Sequence, residues 1–380
     1  MGAKILNLMK RSINTGLSQL FKIMNKKLIL KPGRSNPFNK YILTFSTILL
    51  YISCLLFLNA CEQVLIKPHK KQSARDCFET LWKNIDERYT FFELKGINWD
   101  SVYSVYSPKI HNQMQEEALF DVLSEMLYIL QDGHVNLESP FNLSRNWRWY
   151  LDRPENFNFS VLERNYLGEN YFISGPFINT LFDKIGYIYY PSFQSGFRSN
   201  ELDAVLSRMQ NCKGIILDIR NNGGGSLGNA ELIAERFTDT KRAAITWQFK
   251  NGPGHSDLTA PTIQYVSPSE NIRFTRSVVL LTNRGSYSAS SFFTALMKAN
   301  PHIISIGDTT GGGGGLPWLS ELPNGWIYRF SSSVTQTMNG VNLEPGIPAD
   351  IIVSMSNDDI AQGRDPILER AMQWIKDLPE

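Results

Sequence analysis

Cysteine is scarce in this chain, with four in 380 residues, and neither a CxxC nor an HExxH pattern occurs. A structural zinc module or a zincin site is therefore not expected. Acidic residues are missing from the first 60 positions, where nine Lys and Arg stand alone. Beyond them the balance reverses to 29 basic against 36 acidic side chains, which gives no electrostatic footprint for nucleic acid. Glycine and proline, 27 and 18, are too few for a collagen-like or low-complexity chain. With 42% hydrophobic and 19% charged residues, the chain has the apolar content to bury a core, and its length suits about two domains. The Lys-Ser/Thr of a P-loop follows neither of its glycine runs.

The chain has one long apolar run, Tyr41 to Leu58, which carries no charge and leads into Asn59-Ala60-Cys61. Basic residues flank only its N-terminal side. Small residues ahead of a Cys suit a signal peptidase, and the freed Cys61 thiol would then take a lipid. Residues 1–60 are thus expected to be a lipoprotein signal peptide, with Met24 as a second possible start, and residues 61–74 a tether at the membrane. The competing reading is a transmembrane anchor, since eighteen apolar residues can just span a bilayer. A lipid anchor at Cys61 places the folded part in the bacterial cell envelope; Glu62 after it favours the outer membrane or the periplasmic face by resemblance to sorted lipoproteins. Of the cysteines left to that part, Cys77 and Cys212, burial as small apolar residues is expected.

Two patterns follow. Phe78, Leu81, Trp82, Ile85 and Tyr89 fall at helical spacing, as do Leu119, Val122, Leu123, Met126, Leu127 and Leu130, the second series stopped by Asp132-Gly133. This predicts a helical N-terminal domain over 75–145. After an aromatic-rich connecting segment, 146–183, short apolar strands at Lys184–Tyr190, Gly214–Ile219, Ser277–Thr282 and Ile303–Ile306 alternate with amphipathic helices. That alternation predicts an α/β layered core over 184–380. Its chemistry is expected at the strand ends.

Two strand ends carry dense motifs: Asp218-Ile219-Arg220-Asn221-Asn222-Gly223-Gly224-Gly225, and Gly285-Ser286-Tyr287-Ser288-Ala289-Ser290. With Leu130-Gln131-Asp132-Gly133-His134, Gly307-Asp308-Thr309-Thr310-Gly311-Gly312 and Gly363-Arg364-Asp365-Pro366, the chain resembles the serine-peptidase family of C-terminal processing proteases, tricorn core protease and interphotoreceptor retinoid-binding protein. The resemblance implies a crotonase/ClpP-like α/β core and a polypeptide substrate, with no metal and no organic cofactor. The roughly fifty residues between His134 and the Lys184 strand are too few for a substrate-gripping PDZ module.

By the same resemblance Ser288 is the nucleophile, although a serine before a helix is also a common N-cap. A serine hydroxyl needs a base. The processing proteases supply a lysine from a Gly-Lys-Gly; here the matching position is Gly313, and no lysine lies between Lys298 and Lys376. His134 in Asp-Gly-His-Val resembles the histidine base of the tricorn branch, which implies a Ser–His scheme. Glu344, ahead of Pro345-Gly346-Ile347-Pro348, matches the glutamate that orients that base, with Asp132 and Asp308 as competitors. The oxyanion donors are expected from Ala289 and from Gly224 or Gly225, where glycine lets backbone approach closely. Asp218 and Arg220 are expected to brace the turn. Tyr187, Tyr190, Phe193 and Trp318 are expected in the core or along the cleft. The retinoid-binding relatives leave a second function open, an apolar-ligand binder or inactive peptidase-like protein. The oligomeric state stays open.

Overall fold

The computed structural model describes residues 73–144, 146 and 154–379. The proposed signal peptide, Cys61 and nearly all of the tether lie outside the described residues. The described chain opens on the helix Ala74–Arg88, whose start is fixed by a capping box between Ser73 and Asp76. Its Cys77, Phe78, Leu81 and Ile85 face inward as the spacing predicts. Short helices follow at Phe92–Lys95 and Trp99–Tyr106, then the helix Glu116–Tyr128, which buries Leu119, Leu123, Met126 and Leu127.

These helices do not close their core alone. The chain after the last of them enters strand β1 (Asn136–Glu138). That strand pairs antiparallel with β11 (Ile327–Ser331), which pairs in turn with β10 (Pro317–Glu321). Trp326, Tyr328 and Phe330 from this late hairpin complete the helical core. The N-terminal helices are therefore stitched to the second half of the chain by a three-stranded sheet.

The expected α/β core is present. Strands β4 (Ile185–Tyr189), β5 (Gly214–Asp218), β8 (Ser277–Thr282), β9 (Ile303–Gly307) and β13 (Ile351–Ile352) run parallel. Strands β2 (Phe172–Ser174) and β3 (Phe177–Phe182), from the stretch read as a connecting segment, extend this sheet antiparallel, in the order β13-β9-β8-β5-β4-β3-β2. Near-continuous apolar runs such as Val278 to Leu281 are fully buried because the sheet is covered on both faces. One cover holds the helices Ser199–Arg208, Leu227–Ala234 and Ala289–Lys298. The helix Pro366–Lys376 packs on the other face. A third sheet, β12 (Ser333–Thr337), β6 (Arg242–Phe249) and β7 (Thr262–Val266), completes the fold.

Cys77 and Cys212 are free and buried. Tyr187, Tyr190 and Phe193 are fully buried core residues, whereas Trp318 is 45% exposed beside Arg88.

Candidate active site

Strand β8 ends at Thr282, and the chain turns through Asn283 to Ser288 before the helix Ala289–Lys298 begins. Ser288 occupies the turn with φ 56° and ψ −115°, a conformation that costs a non-glycine residue about 1–3 kcal/mol. Its side chain caps nothing. Instead, Ser288 Oγ lies 3.0 Å from His134 Nε2, across 154 residues of sequence.

The other hydroxyls of the cluster are already engaged. Ser286 Oγ donates to the Ile219 carbonyl, Ser290 Oγ to that of Asn222, and Ser291 Oγ to that of Gly312. None of them caps the helix N-terminus; each ties the turn to a neighbouring loop. Ser288 is thus set apart from its neighbours by geometry as well as by position.

Asn222 is the hub of this arrangement. It is fully buried; its side chain donates to the Tyr190 carbonyl and accepts from the Phe193 and Gly224 N–H groups, while its own carbonyl accepts from Tyr287 N–H and Ser290 Oγ. The Gly224 N–H, 3.0 Å from Asn222 Oδ1, is therefore committed to the turn, and the expectation that it serves as an oxyanion donor is corrected. Gly224 still matters, because a Cβ there would fall 2.6 Å from the Tyr287 carbonyl. Gly225 lines the cleft with Ser288, and the Ala289 N–H, first in its helix, has no intrahelical acceptor.

His134 stands just after the turn that ends the Glu116–Tyr128 helical segment. Asp132 Oδ1 accepts its backbone N–H at 2.8 Å and so braces the loop that carries the ring. The imidazole is 7% exposed, and burial holds its pKa below the ordinary histidine value. Asp132 pushes that value up, while Arg329 and Lys95 push it down. A ring kept neutral at pH 7, 3.0 Å from an alcohol, can take its proton.

Glu344 does not touch His134, which corrects the expected direct orienting contact. Both its oxygens are used elsewhere: Oε1 accepts from Lys95 Nζ at 2.7 Å and Oε2 from the Gly314 N–H at 3.0 Å. Lys95 Nζ also donates to the Leu130 and Gln131 carbonyls, directly ahead of Asp132. Glu344 therefore reaches the histidine through a lysine that holds the histidine's own loop. Burial pushes the Glu344 carboxyl up and Asp132 adds to the push; Lys95 and the Gly314 N–H pull it back. Asp308 braces its own loop through Asn156 and the Thr309 N–H.

Gly313 explains the missing lysine. It has φ +77°, and a Cβ there would meet Tyr287 Cζ at 2.5 Å. The Tyr287 ring, 5.2 Å from that of His134, fills this space. Gly313→Ala is expected to lower stability by at least ~2 kcal/mol through backbone strain and overpacking, read from the denaturant midpoint. An unchanged midpoint would contradict the placement of that ring.

Asp218 and Arg220 are structural, as expected. Both are fully buried, and the guanidinium bonds Asp218 and Asp365 beneath the sheet. Ser288 and His134 open onto a cleft of about 380 Å³, walled by Gly313 to Pro317, Trp247, Phe292 and Arg329. Its aromatic lining comes from Trp247, Tyr287 and Phe292, none of which the sequence had placed there. Lys95, Asn222 and Arg329 were likewise missed. A DIRNN string hints at Asn222, but no local signal marks the other two.

This combination of an α/β core, a strained serine at a strand-to-helix turn and a histidine beside it defines a serine-hydrolase type of site. The family models agree. Residues 184–353 match Peptidase family S41, and residues 70–128 match the tricorn protease C1 domain. A solved structure titled as a putative peptidase from Parabacteroides merdae is 44% identical, with a TM-score of 0.77 over 80% of this chain and 97% of that one. The chain belongs to peptidase family S41. The carboxy-terminal processing protease CtpA of Bacillus subtilis is 26% identical over 42% of this chain and 32% of its own length. The chain thus spans about a third of the length of the curated relatives it matches. Mature CPAF shares the fold, with a TM-score of 0.61 at 12% identity over 80% of this chain and 96% of that one.

Proposed function

We propose that the chain is a serine peptidase that hydrolyses peptide bonds in a polypeptide substrate through an acyl-enzyme. Ser288 attacks the carbonyl, and His134 takes the Oγ proton and returns it to the leaving amine. The Ala289 N–H, with Gly225 beside it, faces the developing oxyanion. Asp132 is the carboxylate that favours the imidazolium, and Lys95 with Glu344 hold the histidine's loop. No metal or organic cofactor has a part in these steps. The observation that carries the reading is the 3.0 Å approach of His134 Nε2 to a hydroxyl in a strained turn.

A serine-reactive fluorophosphonate tests it, together with cleavage of unfolded and short peptides. Labelling of the wild type, lost in both Ser288→Ala and His134→Ala, is the expected result. Saturable binding of apolar ligands without labelling would instead favour the non-catalytic binder.

Because burial lowers the His134 pKa, the neutral base persists below the pH at which an ordinary histidine protonates. The acid limb of kcat/KM is accordingly expected to have its midpoint under about 6.5, activity being lost as pH falls through the enzyme's own value. A midpoint above that would argue against a desolvated histidine as the base.

We further propose that the protein works at the cell envelope, held by a lipid on Cys61, at the outer membrane or the periplasmic face. Metabolic labelling with a fatty acid, lost in Cys61→Ala, checks the anchor, and fractionation checks the membrane; recovery in the inner membrane reverses the second part.

A further inference from the structure

The His134 side of the cleft carries a cation that the mechanism above does not use. Arg329 sits in the middle of β11, opposite Asn136 on β1 and Leu319 on β10. Its strand neighbours Tyr328 and Phe330 point into the helical core, so Arg329 projects from the other face, where it lines the cleft with His134 and Ser288. It is half-buried. Among the described residues no carboxylate pairs with it; Glu138, on the same face of β1, stands opposite Ile327.

A cation in this position works against the chemistry. Its charge disfavours the imidazolium that His134 must form during turnover. The arrangement makes sense if an anion arrives with the substrate and offsets that charge. Which part of the substrate carries it follows from the proton's path. His134 must protonate the leaving amine, so the leaving fragment lies on the imidazole side of the scissile bond, while the acyl oxygen faces the Ala289 N–H. Arg329 is on the imidazole side. The wall beside it, Gly313 to Gly315, has no side chains to block a bound peptide, and Leu319 and Ile327, 68% and 40% exposed, offer apolar ground on either side.

We propose that Arg329 binds a carboxylate on the leaving fragment of the substrate, an acidic side chain or the peptide's own terminal carboxylate, and so selects the bond that is cut. The guanidinium fork suits a carboxylate, which it can hold by two parallel hydrogen bonds. This rests on the peptidase reading, and its test is kept separate from it by measuring binding without turnover.

The Ser288→Ala chain is titrated calorimetrically with three acetylated hexapeptides of one neutral sequence. The first ends in an amide, the second in a free carboxylate, and the third is the amide with one Glu in its C-terminal half. At least one of the two charged peptides is expected to bind ten-fold or more tighter than the neutral amide. Preference for the second identifies the terminal carboxylate, and preference for the third the side chain. The preference should fall below about three-fold in Arg329→Met and survive in part in Arg329→Lys, which also guards against a folding defect in the first variant. Equal affinities, no measurable binding of either charged peptide, or an unchanged preference in Arg329→Met overturns the proposal. Loss of labelling in the wild type would count against the peptidase reading, whereas the titrations judge Arg329 whatever that outcome.

Discussion

Ser288→Ala is expected to reduce peptide cleavage by a factor on the order of 10⁶, the scale at which removal of a nucleophile leaves only binding and oxyanion stabilisation. No neighbouring hydroxyl can take over, because Ser286, Ser290 and Ser291 are fully buried and donate to the carbonyls of Ile219, Asn222 and Gly312. Cleavage above a hundredth of wild type would therefore remove Ser288 from the reaction. The same position yields a companion measurement that a merely structural serine would not give. At φ 56° and ψ −115° Ser288 sits where glycine is at ease and other residues are strained. Ser288→Gly should consequently raise stability by about 1 kcal/mol, read from the denaturant midpoint, while abolishing activity. A variant that gains stability and loses function together marks strain held for a purpose. A Ser288→Gly chain less stable than wild type would mean that the turn is not strained.

The division between what could and could not be read from the sequence follows the range of each interaction. Strands β4, β5, β8 and β9 were legible because each is a compact apolar run with its own turn signals, and burial on both faces keeps the run unbroken. Ser288 and His134 were legible only through resemblance: nothing local says that residues 154 apart meet. The role of Glu344 was misplaced for the same reason. The resemblance implied an acceptor for the imidazole, yet the partner it finds is Lys95, 249 residues earlier, on a four-residue helix with no distinguishing pattern. Likewise β2 and β3 looked like a connection. Their burial is partial, with Phe172 and Ile173 exposed, so the alternation that marks a half-buried strand is weak there. The glycine run was read as a missing lysine, whereas its own geometry gives the reason: Gly313 has a positive φ and an aromatic ring against it.

Lys95→Met is expected to cost the largest amount of stability of any single change at the site, about 3–5 kcal/mol, because it removes one partner of a buried pair and leaves the other uncompensated. Lys95 Nζ is 2.7 Å from Glu344 Oε1, with the two side chains 16% and 2% exposed. Its remaining protons go to the Leu130 and Gln131 carbonyls, which the variant also strips of their donor. The loss should depend on pH in a direction fixed by Glu344. Burial already pushes that carboxyl up, and without the ammonium it rises further. A carboxyl whose folded value exceeds its unfolded one favours folding below the unfolded value and ceases to do so as pH climbs through the folded one. The variant should thus be closer to wild type at pH 5 than at pH 8. Lys95→Met with Glu344→Met should recover part of the stability, the remainder reflecting the Gly314 N–H and two carbonyls left without partners, at about 1–3 kcal/mol for each buried group. Activity should fall as well, since the Leu130–Gln131 carbonyls lead directly into the loop that carries His134, and a misplacement of about 1 Å can cost on the order of 100-fold. Urea titrations at the two pH values, with the single and double variants side by side, check the prediction. A single variant less than about 1 kcal/mol below wild type at pH 8 would show that the pair is solvated and not what fixes the histidine's loop.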